Sequence, residues 1–458
     1  MFLIKLIAFI KETYTDAFRL ARHPREGIKS LYGISLYRNA GYLMSNASIN
    51  AVMGIVFWII AARLYSEEDV GFGSALISAG MLLSLLGNLG LGFGIIRFLP
   101  DSKDKARLLN SSFTICLFAS IVAAFILLIG IPLWLPKLRF VLENLVYSAA
   151  FVLFIAAGAL NTIIIQTFIA FRRTGFSLTR IIIFNISRLV FIIAFATVFK
   201  SFGIFASWGI AMVISAFVCL FLFLPQVLPG YRSFLLKPNE QVKLKKETLH
   251  FSFVNYSGQA LQSAPTWILP LMVLNFKNAE ANAHFYITFA MANVLLAISA
   301  MTSMSLFAEG SNVEERLATD LRKSLKLILS LLIPAVLVIL LLGDKLLLLF
   351  GREYSEEGTH LLWLLALSSI PASINYLYLG IARVEKKLKT IIAISGVLAF
   401  GTLISSYLLL LRLDIFGVGV GWLAAQSAVA LVCSPGLVKK LRTAPPITPE
   451  TEHPESVV

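Results

Sequence analysis

Asn39–Pro100 reads NAGYLMSNASINAVMGIVFWIIAARLYSEEDVGFGSALISAGMLLSLLGNLGLGFGIIRFLP. Two apolar segments flank the short acidic turn Ser66-Glu67-Glu68-Asp69. Each exceeds the roughly 20 residues that carry a helix across a bilayer core. A turn this short brings the chain straight back, so the stretch is expected to be a membrane hairpin.

The rest of the chain has the same texture. Of 458 residues, 58% are hydrophobic and 14% charged, and the mean hydropathy is +0.83. A soluble core of this length hides less apolar surface than that. The apolar runs are long and continuous, whereas a transmembrane β-barrel would show alternating segments of about ten residues. The expected fold class is therefore an all-α polytopic membrane protein.

After the hairpin, spans are expected near 109–135, 144–171, 178–199 and 203–228, then near 251–276, 283–308, 324–343, 360–382, 389–411 and 416–437, making twelve. Five regions follow: a basic amphipathic segment (1–39), a six-helix lobe (40–229), a basic linker (230–250), a second six-helix lobe (251–440) and a disordered tail (441–458). The apolar run Met1–Ile10 is too short to span and has no small-residue cleavage site, so the first region reads as a surface helix and not a signal peptide.

The net charge of +14 would suggest nucleic acid in a soluble protein. Here most of the 39 lysines and arginines lie on the side that holds both termini, as the positive-inside rule requires. Both termini are expected to be cytoplasmic, in a multi-pass cytoplasmic (inner) membrane protein, with no nucleic-acid partner. Cys116, Cys219 and Cys433 fall within apolar segments, which suggests neither a disulfide framework nor a thiolate metal site. No nucleotide loop, zinc signature or nucleophile elbow accompanies them, and the five histidines are scattered. The expectation is no enzyme, cofactor or metal.

The halves of the chain repeat. An offset of 209 brings Asn46 onto Asn255, Ser48 onto Ser257 and Trp58 onto Trp267. An offset of 214 brings Asn161 onto Asn375, Arg172-Arg173 onto Lys386-Lys387, Gly203 onto Gly417 and Trp208 onto Trp422. Six spans per half is an even number, so both halves enter the membrane from one side as a parallel repeat. Such lobes enclose a central cavity and work by rocking.

Polar residues within spans are the candidate site. Asn46, Asn50 and Met53 share one helix face, and their mates under the first offset are Asn255, Gln259 and Gln262. Carboxamides in hydrocarbon need partners, so this face meets either another helix or a wet cavity. Arg188 is the charged residue placed deep in a span. Counted from Arg180 at the cytoplasmic edge, it lies about 12 Å in, beyond easy snorkelling. Asn185 is on the same side. A guanidinium stays protonated and grips phosphate through a fork, so an anionic headgroup suits Arg188, while capping of backbone carbonyls is the structural alternative.

No Asp or Glu lies in a span interior; Glu309, Asp344 and Asp414 are all at ends. Cation-coupled drug pumps commonly need such a carboxylate. In the second lobe Pro265 and Pro270 interrupt the first span and form a candidate hinge, with Pro334 and Pro371 in later spans.

Phe57-Trp58, Ala62-Arg63-Leu64-Tyr65-Ser66-Glu67-Glu68-Asp69-Val70-Gly71, Leu89-Gly90-Leu91-Gly92 and Ile96-Arg97-Phe98 together resemble the N-terminal signature of polysaccharide biosynthesis and O-antigen flippases of the MOP exporter superfamily. Leu349-Phe350-Gly351-Arg352-Glu353-Tyr354 is similar to that family's FG-x-x-Y element. The resemblance spans about residues 40–440. It implies two six-helix lobes around a basic cavity that alternates its access and moves a glycan linked to polyprenyl phosphate or diphosphate between leaflets. It further implies that Arg188 draws the diphosphate, that Asn46, Asn50, Asn255 and Gln259 meet sugar hydroxyls, and that membrane lipids and glycan-assembly enzymes are the other partners. Alternatives are a MATE-like multidrug or cation antiporter on the same fold, which the missing carboxylates disfavour, and a membrane glycan polymerase or ligase, for which no outer loop is long enough.

Overall fold

The computed structural model describes residues 35–231, 246–310 and 317–442. Among them the chain is nearly all helix, without a strand. The expected surface helix, most of the basic linker and the tail lie outside the described residues.

The opening hairpin is α1 (Ser35–Leu64) and α2 (Glu67–Asn88). Ser66 caps α2: its Oγ accepts from the Asp69 amide at 3.1 Å, and Glu67, Glu68 and Asp69 fill the first turn. Together they satisfy a free N–H and complement the positive end of the helix dipole. Beyond α2 the backbone turns left-handed at Leu89 and at Gly90 (φ 74°) and enters α3 (Leu91–Phe98). Glycine is needed at 90 for space as well, because a Cβ there would lie 2.5 Å from the Ser252 carbonyl oxygen.

The first half continues with α4 (Lys105–Trp134), α5 (Phe140–Glu143), α6 (Leu145–Ala170), α7 (Thr174–Phe195) and α8 (Lys200–Val218). A π-helical turn, Cys219–Phe223, joins α8 to the short α9 (Leu224–Val227). The second half comprises α10 (Lys246–Phe276), α11 (Ala279–Gly310), α12 (Leu317–Leu348), α13 (Arg352–Val384) and α14 (Leu388–Arg442). Side chains such as Leu133 (83% exposed), Ile129 (79%) and Leu341 (76%) point outward. A soluble protein does not carry such a belt; hydrocarbon is its matching solvent.

Ten helices among the described residues are long and apolar enough to cross a membrane, where the sequence leads one to expect twelve spans. The difference has two sources. The run α14 is 55 residues long with non-helical backbone at Asp414 (φ 56°, ψ −152°), so it holds two of the expected spans. The 31-residue α10 is not among the ten; its middle carries Gln259, Gln262, Ser263 and Pro265, which dilute its apolar character.

Backbone geometry recurs at the offset of 214. Arg172 (φ 55°) and Lys386 (φ 56°) both take a positive φ, as do Lys200 (φ 40°) and Asp414 (φ 56°). The amide nitrogen of Arg173 donates to the Phe168 carbonyl, and that of Lys387 donates to the Ala382 carbonyl, both at 2.8 Å. Asn161 Nδ2 donates to the Met212 carbonyl at 2.9 Å and Asn375 Nδ2 to the Gln426 carbonyl at 3.0 Å, each 51 residues along the chain. Matching residues thus lock matching helix pairs.

The two amides differ most at their oxygens. Asn161 Oδ1 also accepts from Arg180 Nε at 2.9 Å and Ser215 Oγ at 3.0 Å, whereas Asn375 Oδ1 is buried without a partner among the described residues. Asn161→Ala strands a buried guanidinium N–H as well as a carbonyl. It is expected to cost about 2–4 kcal/mol, and Asn375→Ala about 1 kcal/mol. Thermal unfolding of the detergent-solubilised variants checks the ranking; equal shifts would contradict it.

Candidate functional site: a basic cavity between the halves

The halves meet where α2 and α3 pack on α10 and α11, while α1 packs chiefly on α7 and barely touches α10. Between them lies a cavity of about 440 Å³, walled by α1, α2, α3, α6, α7 and α8 on one side and by α10 and α11 on the other. A crevice of about 280 Å³ adjoins it along α1, α10 and α11, sharing Asn50, Gly54, Trp58, Trp267 and Tyr286.

Two guanidiniums enter the main cavity from one face of α7. Arg188 is 7% exposed, and its Nε and Nη2 have no hydrogen-bond partner among the described residues. Its guanidinium carbon lies 5.0 Å from the ring centroids of both Phe57 and Phe184. These cation–π contacts hold the group in place without consuming its N–H donors. Gly54 leaves room in front of it, since a Cβ there would sit 3.7 Å from Nη2.

Arg180 is the second, and here the structure departs from the sequence-based placement at the cytoplasmic edge. It is 5% exposed and lines the same cavity. Besides its bond to Asn161, its Nη2 lies 3.6 Å from Met212 Sδ. Position in the sequence alone could not reveal this, because α7 begins at Thr174 and Arg180 is already two turns inside the helix. The described lining contains no carboxylate.

The amides divide. Asn50 and Gln259 line the cavity. Asn46 does not; its Nδ2 donates to Ser177 Oγ of α7 at 3.0 Å. Gln262 accepts from Arg383 Nη2 at 3.2 Å through Oε1, away from the lining. Asn185 is fully buried, its Nδ2 donating to the Ile181 carbonyl at 2.8 Å, and it too is absent from the lining. The side chain of Asn255 is outside the described residues. Pro265 and Pro270 are buried in an unbroken α10.

The polar residues of the spans do not announce the aromatic surface of the cavity. Trp58 packs against Tyr286 across the halves, ring centroids 4.7 Å apart and planes tilted by 57°, and Trp267, Trp208, Tyr256 and Phe93 also face the cavity. The signal was present, for Trp58 and Trp267 are the pair on which the repeat aligns. Gln166 of α6 joins the lining with no such signal.

At the Arg63–Gly71 end the halves are sealed together. Arg63 donates through Nε to the Leu349 carbonyl at 2.9 Å and through Nη2 to the Leu348 carbonyl at 2.7 Å, capping the free carbonyls that end α12. Asn282 Nδ2 donates to the Gly71 carbonyl at 2.7 Å, His284 Nε2 meets Glu67 Oε2 at 2.9 Å, and Lys137 Nζ donates to the Lys277 carbonyl. At the other end Tyr256 OH donates to the Leu85 carbonyl at 2.7 Å.

The sequence matches the family described as polysaccharide biosynthesis protein over residues 36–308 and the family described as MatE over 279–408. No curated protein matches it significantly. Among solved structures it is similar to the lipid II flippase MurJ in an inward closed conformation, with a TM-score of 0.68 at 13% identity and 88% of each chain covered. It is also similar to a multidrug resistance MATE family transporter of the MOP superfamily in its inward-facing conformation, with a TM-score of 0.61 at 14% identity, over 88% of this chain and 99% of that one. A third likeness is to a MOP superfamily transporter from Pyrococcus furiosus described by the reverse polarity of its binding pocket, with a TM-score of 0.55 at 12% identity, over 92% and 99%. At such identities these likenesses establish the shared fold.

Proposed function

We propose that this chain, which belongs to the polysaccharide biosynthesis protein family, is a flippase that carries a lipid-linked oligosaccharide or polysaccharide precursor across the membrane by alternating access. The observation that carries this reading is Arg188, a buried cation with free donors, set with Arg180 in a cavity whose described lining has no carboxylate. A buried charge left unpaired is costly, and it persists where a ligand of opposite charge completes it. A phosphate or diphosphate supplies that charge and the acceptor geometry of a guanidinium fork. Asn50, Gln259 and Gln166 offer amides to sugar hydroxyls, and the tryptophans offer flat surfaces to sugar rings.

The same reading takes the chain as twelve spans in two lobes, 40–229 and 251–440, with both termini in the cytoplasm and the Arg63–Gly71 rim on the outer side of the cytoplasmic membrane. Pro265 and Pro270 would let α10 bend as the lobes rock. Glycan-assembly enzymes are the expected protein partners, and no chemistry is assigned to the chain itself. A drug or cation antiporter on the same fold is favoured by the match of residues 279–408, but a lining with two guanidiniums and no described carboxylate repels a cationic substrate.

Reconstitution in liposomes with fluorescent polyprenyl-diphosphate sugars, reading leaflet access, tests the proposal. Transport of a cationic dye with no movement of the glycan lipid would replace it with the antiporter. The cavity wall is tested separately by single cysteines in a background free of Cys116, Cys219 and Cys433. Asn50→Cys and Gln259→Cys should react with water-soluble thiol reagents, and glycan lipid should protect them. Asn46→Cys, turned toward α7, should react at least about tenfold more slowly. Equal rates at all three positions would remove the distinction between cavity wall and helix contact.

A further inference from the structure

Outside the central cavity, the last two turns of α13, the turn after it and the last turns of α14 enclose a crevice of about 470 Å³. Its apolar wall is Tyr378, Ile381 and Ala382, and its other wall is Gly436 with Lys439 and Lys440. Gly436 is what opens it: the Tyr378 ring lies so close that a Cβ at 436 would come within 2.8 Å of it. A second crevice of about 620 Å³ shares Lys439 and runs on past Pro435 and Val438 to Arg442.

The charge of this corner is one-sided. Glu385 is the acid in the first crevice, and it is already neutralised: Lys387 Nζ lies 2.8 Å from Oε2 and Lys440 Nζ 2.5 Å from Oε1. The two lysines hold its carboxyl below the usual range, although its partial burial acts the other way. That clamp also ties the α13–α14 turn to the end of α14. Lys439 and Arg442 are not part of the clamp and face the crevices as cations. Lys386 lies in the α13–α14 turn and Lys389 in the first turn of α14. Alongside, Leu431 and Val432 of α14 are 74% and 79% exposed, so the corner is basic at the helix ends and apolar along the helix shaft.

We propose that this corner is a binding site for an anionic phospholipid, whose phosphate is held by Lys439 and Arg442 and whose acyl chains lie along the exposed face of α14. The crevice has the two-part character of a lipid: a polar pocket with excess positive charge where helices leave the membrane, continuous with an apolar face. A zwitterionic lipid offers the same chains but places a cation beside its phosphate, so charge complementarity selects the anionic headgroup. This site shares no residue with the central cavity, and its assignment does not depend on what the cavity carries.

The test is lipid retention by native mass spectrometry of the full chain, titrated with phosphatidylglycerol or phosphatidylcholine. Wild type should retain phosphatidylglycerol at least about tenfold more tightly, and K439Q/R442Q should lose most of that preference. Lys103→Gln/Arg107→Gln removes the same charge from a different basic turn, at the start of α4, and should leave the preference intact. Equal losses in both double variants would show diffuse attraction to a basic surface and overturn the site. If phosphatidylglycerol bound only after deletion of 443–458, the acidic tail would be the occupant and the lipid assignment would fall. Should K439Q/R442Q not fold, Gly436→Leu, which closes the crevice from its apolar side, must give the same loss.

Discussion

Arg188→Met is expected to abolish flipping and at the same time raise the stability of the protein. In wild type the guanidinium is buried, its Nε and Nη2 have no partner among the described residues, and two phenyl rings are its close company. Replacing a buried charge that lacks full pairing by an apolar side chain of similar length is stabilising by about 1–4 kcal/mol. If the same group supplies two charge-assisted hydrogen bonds to a phosphate, their loss at about 1.5–3 kcal/mol each lowers transport roughly 100-fold or more. Arg188→Lys should keep the charge, lose the fork and fall between. The paired measurements are thermal unfolding in detergent and glycan-lipid translocation in liposomes. A structural arginine behaves oppositely: Arg188→Met would then lower stability and leave transport of the surviving protein intact, and that outcome would falsify the phosphate assignment. Arg180→Met is the internal contrast, for it strips a partner from Asn161 and should destabilise.

Gly71→Val is expected to hold the Arg63–Gly71 rim open. A Cβ at 71 would lie 1.8 Å from the carbonyl oxygen of Ala279, a backbone atom that no side-chain rotation can move away. The contact joins α2 to α11, beside the bond from Asn282 to the Gly71 carbonyl. Forcing a branched side chain into it costs about 3 kcal/mol, enough to shift a two-state equilibrium roughly a hundredfold against the closed rim. Spin labels at the exposed Glu68 and Glu356 should show a longer distance, and flipping should stop because alternation needs both states. Gly80→Ala, whose Cβ would meet the Phe205 and Trp208 rings at 3.4 Å, is the control for a new side chain on the same helix. An unchanged distance with normal transport in Gly71→Val would mean the rim opens and closes without this contact.

Much of the fold was legible because membrane helices advertise themselves. The turn at Ser66–Asp69 and most segment ends fall within about five residues of the observed helices, since twenty apolar residues in hydrocarbon have no structure open to them other than a helix. The exceptions are the starts expected at 324 and 360, where the polar first turns of α12 (from Leu317) and α13 (from Arg352) extend the helices beyond their apolar cores. The repeat was legible through Trp, Asn and Gly positions, and the matched hydrogen bonds of Asn161 and Asn375 show why: each fixes one helix pair in each half. What the alignment could not say is which face each residue turns. Asn46 and Asn50 lie four residues apart and look equivalent in the sequence, yet the first meets Ser177 and the second meets the cavity. A small rotation of α1 against α7 separates them, and helix rotation is set by packing across the bundle.

The sequence by itself determined the class, the hairpin, the repeat and the rarity of buried charge, because these follow from local hydropathy and from the cost of a polar group in lipid. Only the tertiary structure decided that Arg180 joins Arg188 in one cavity, that Trp58 and Trp267 line it, and that the Arg63–Gly71 turn is a seal against α11 and α12 and more than the edge of a hairpin. Apart from the pairing of the two arginines along α7, these facts concern atoms more than a hundred residues apart in the chain. Their meeting depends on how helices rotate and cross, and side-chain volumes distributed over the whole bundle fix that.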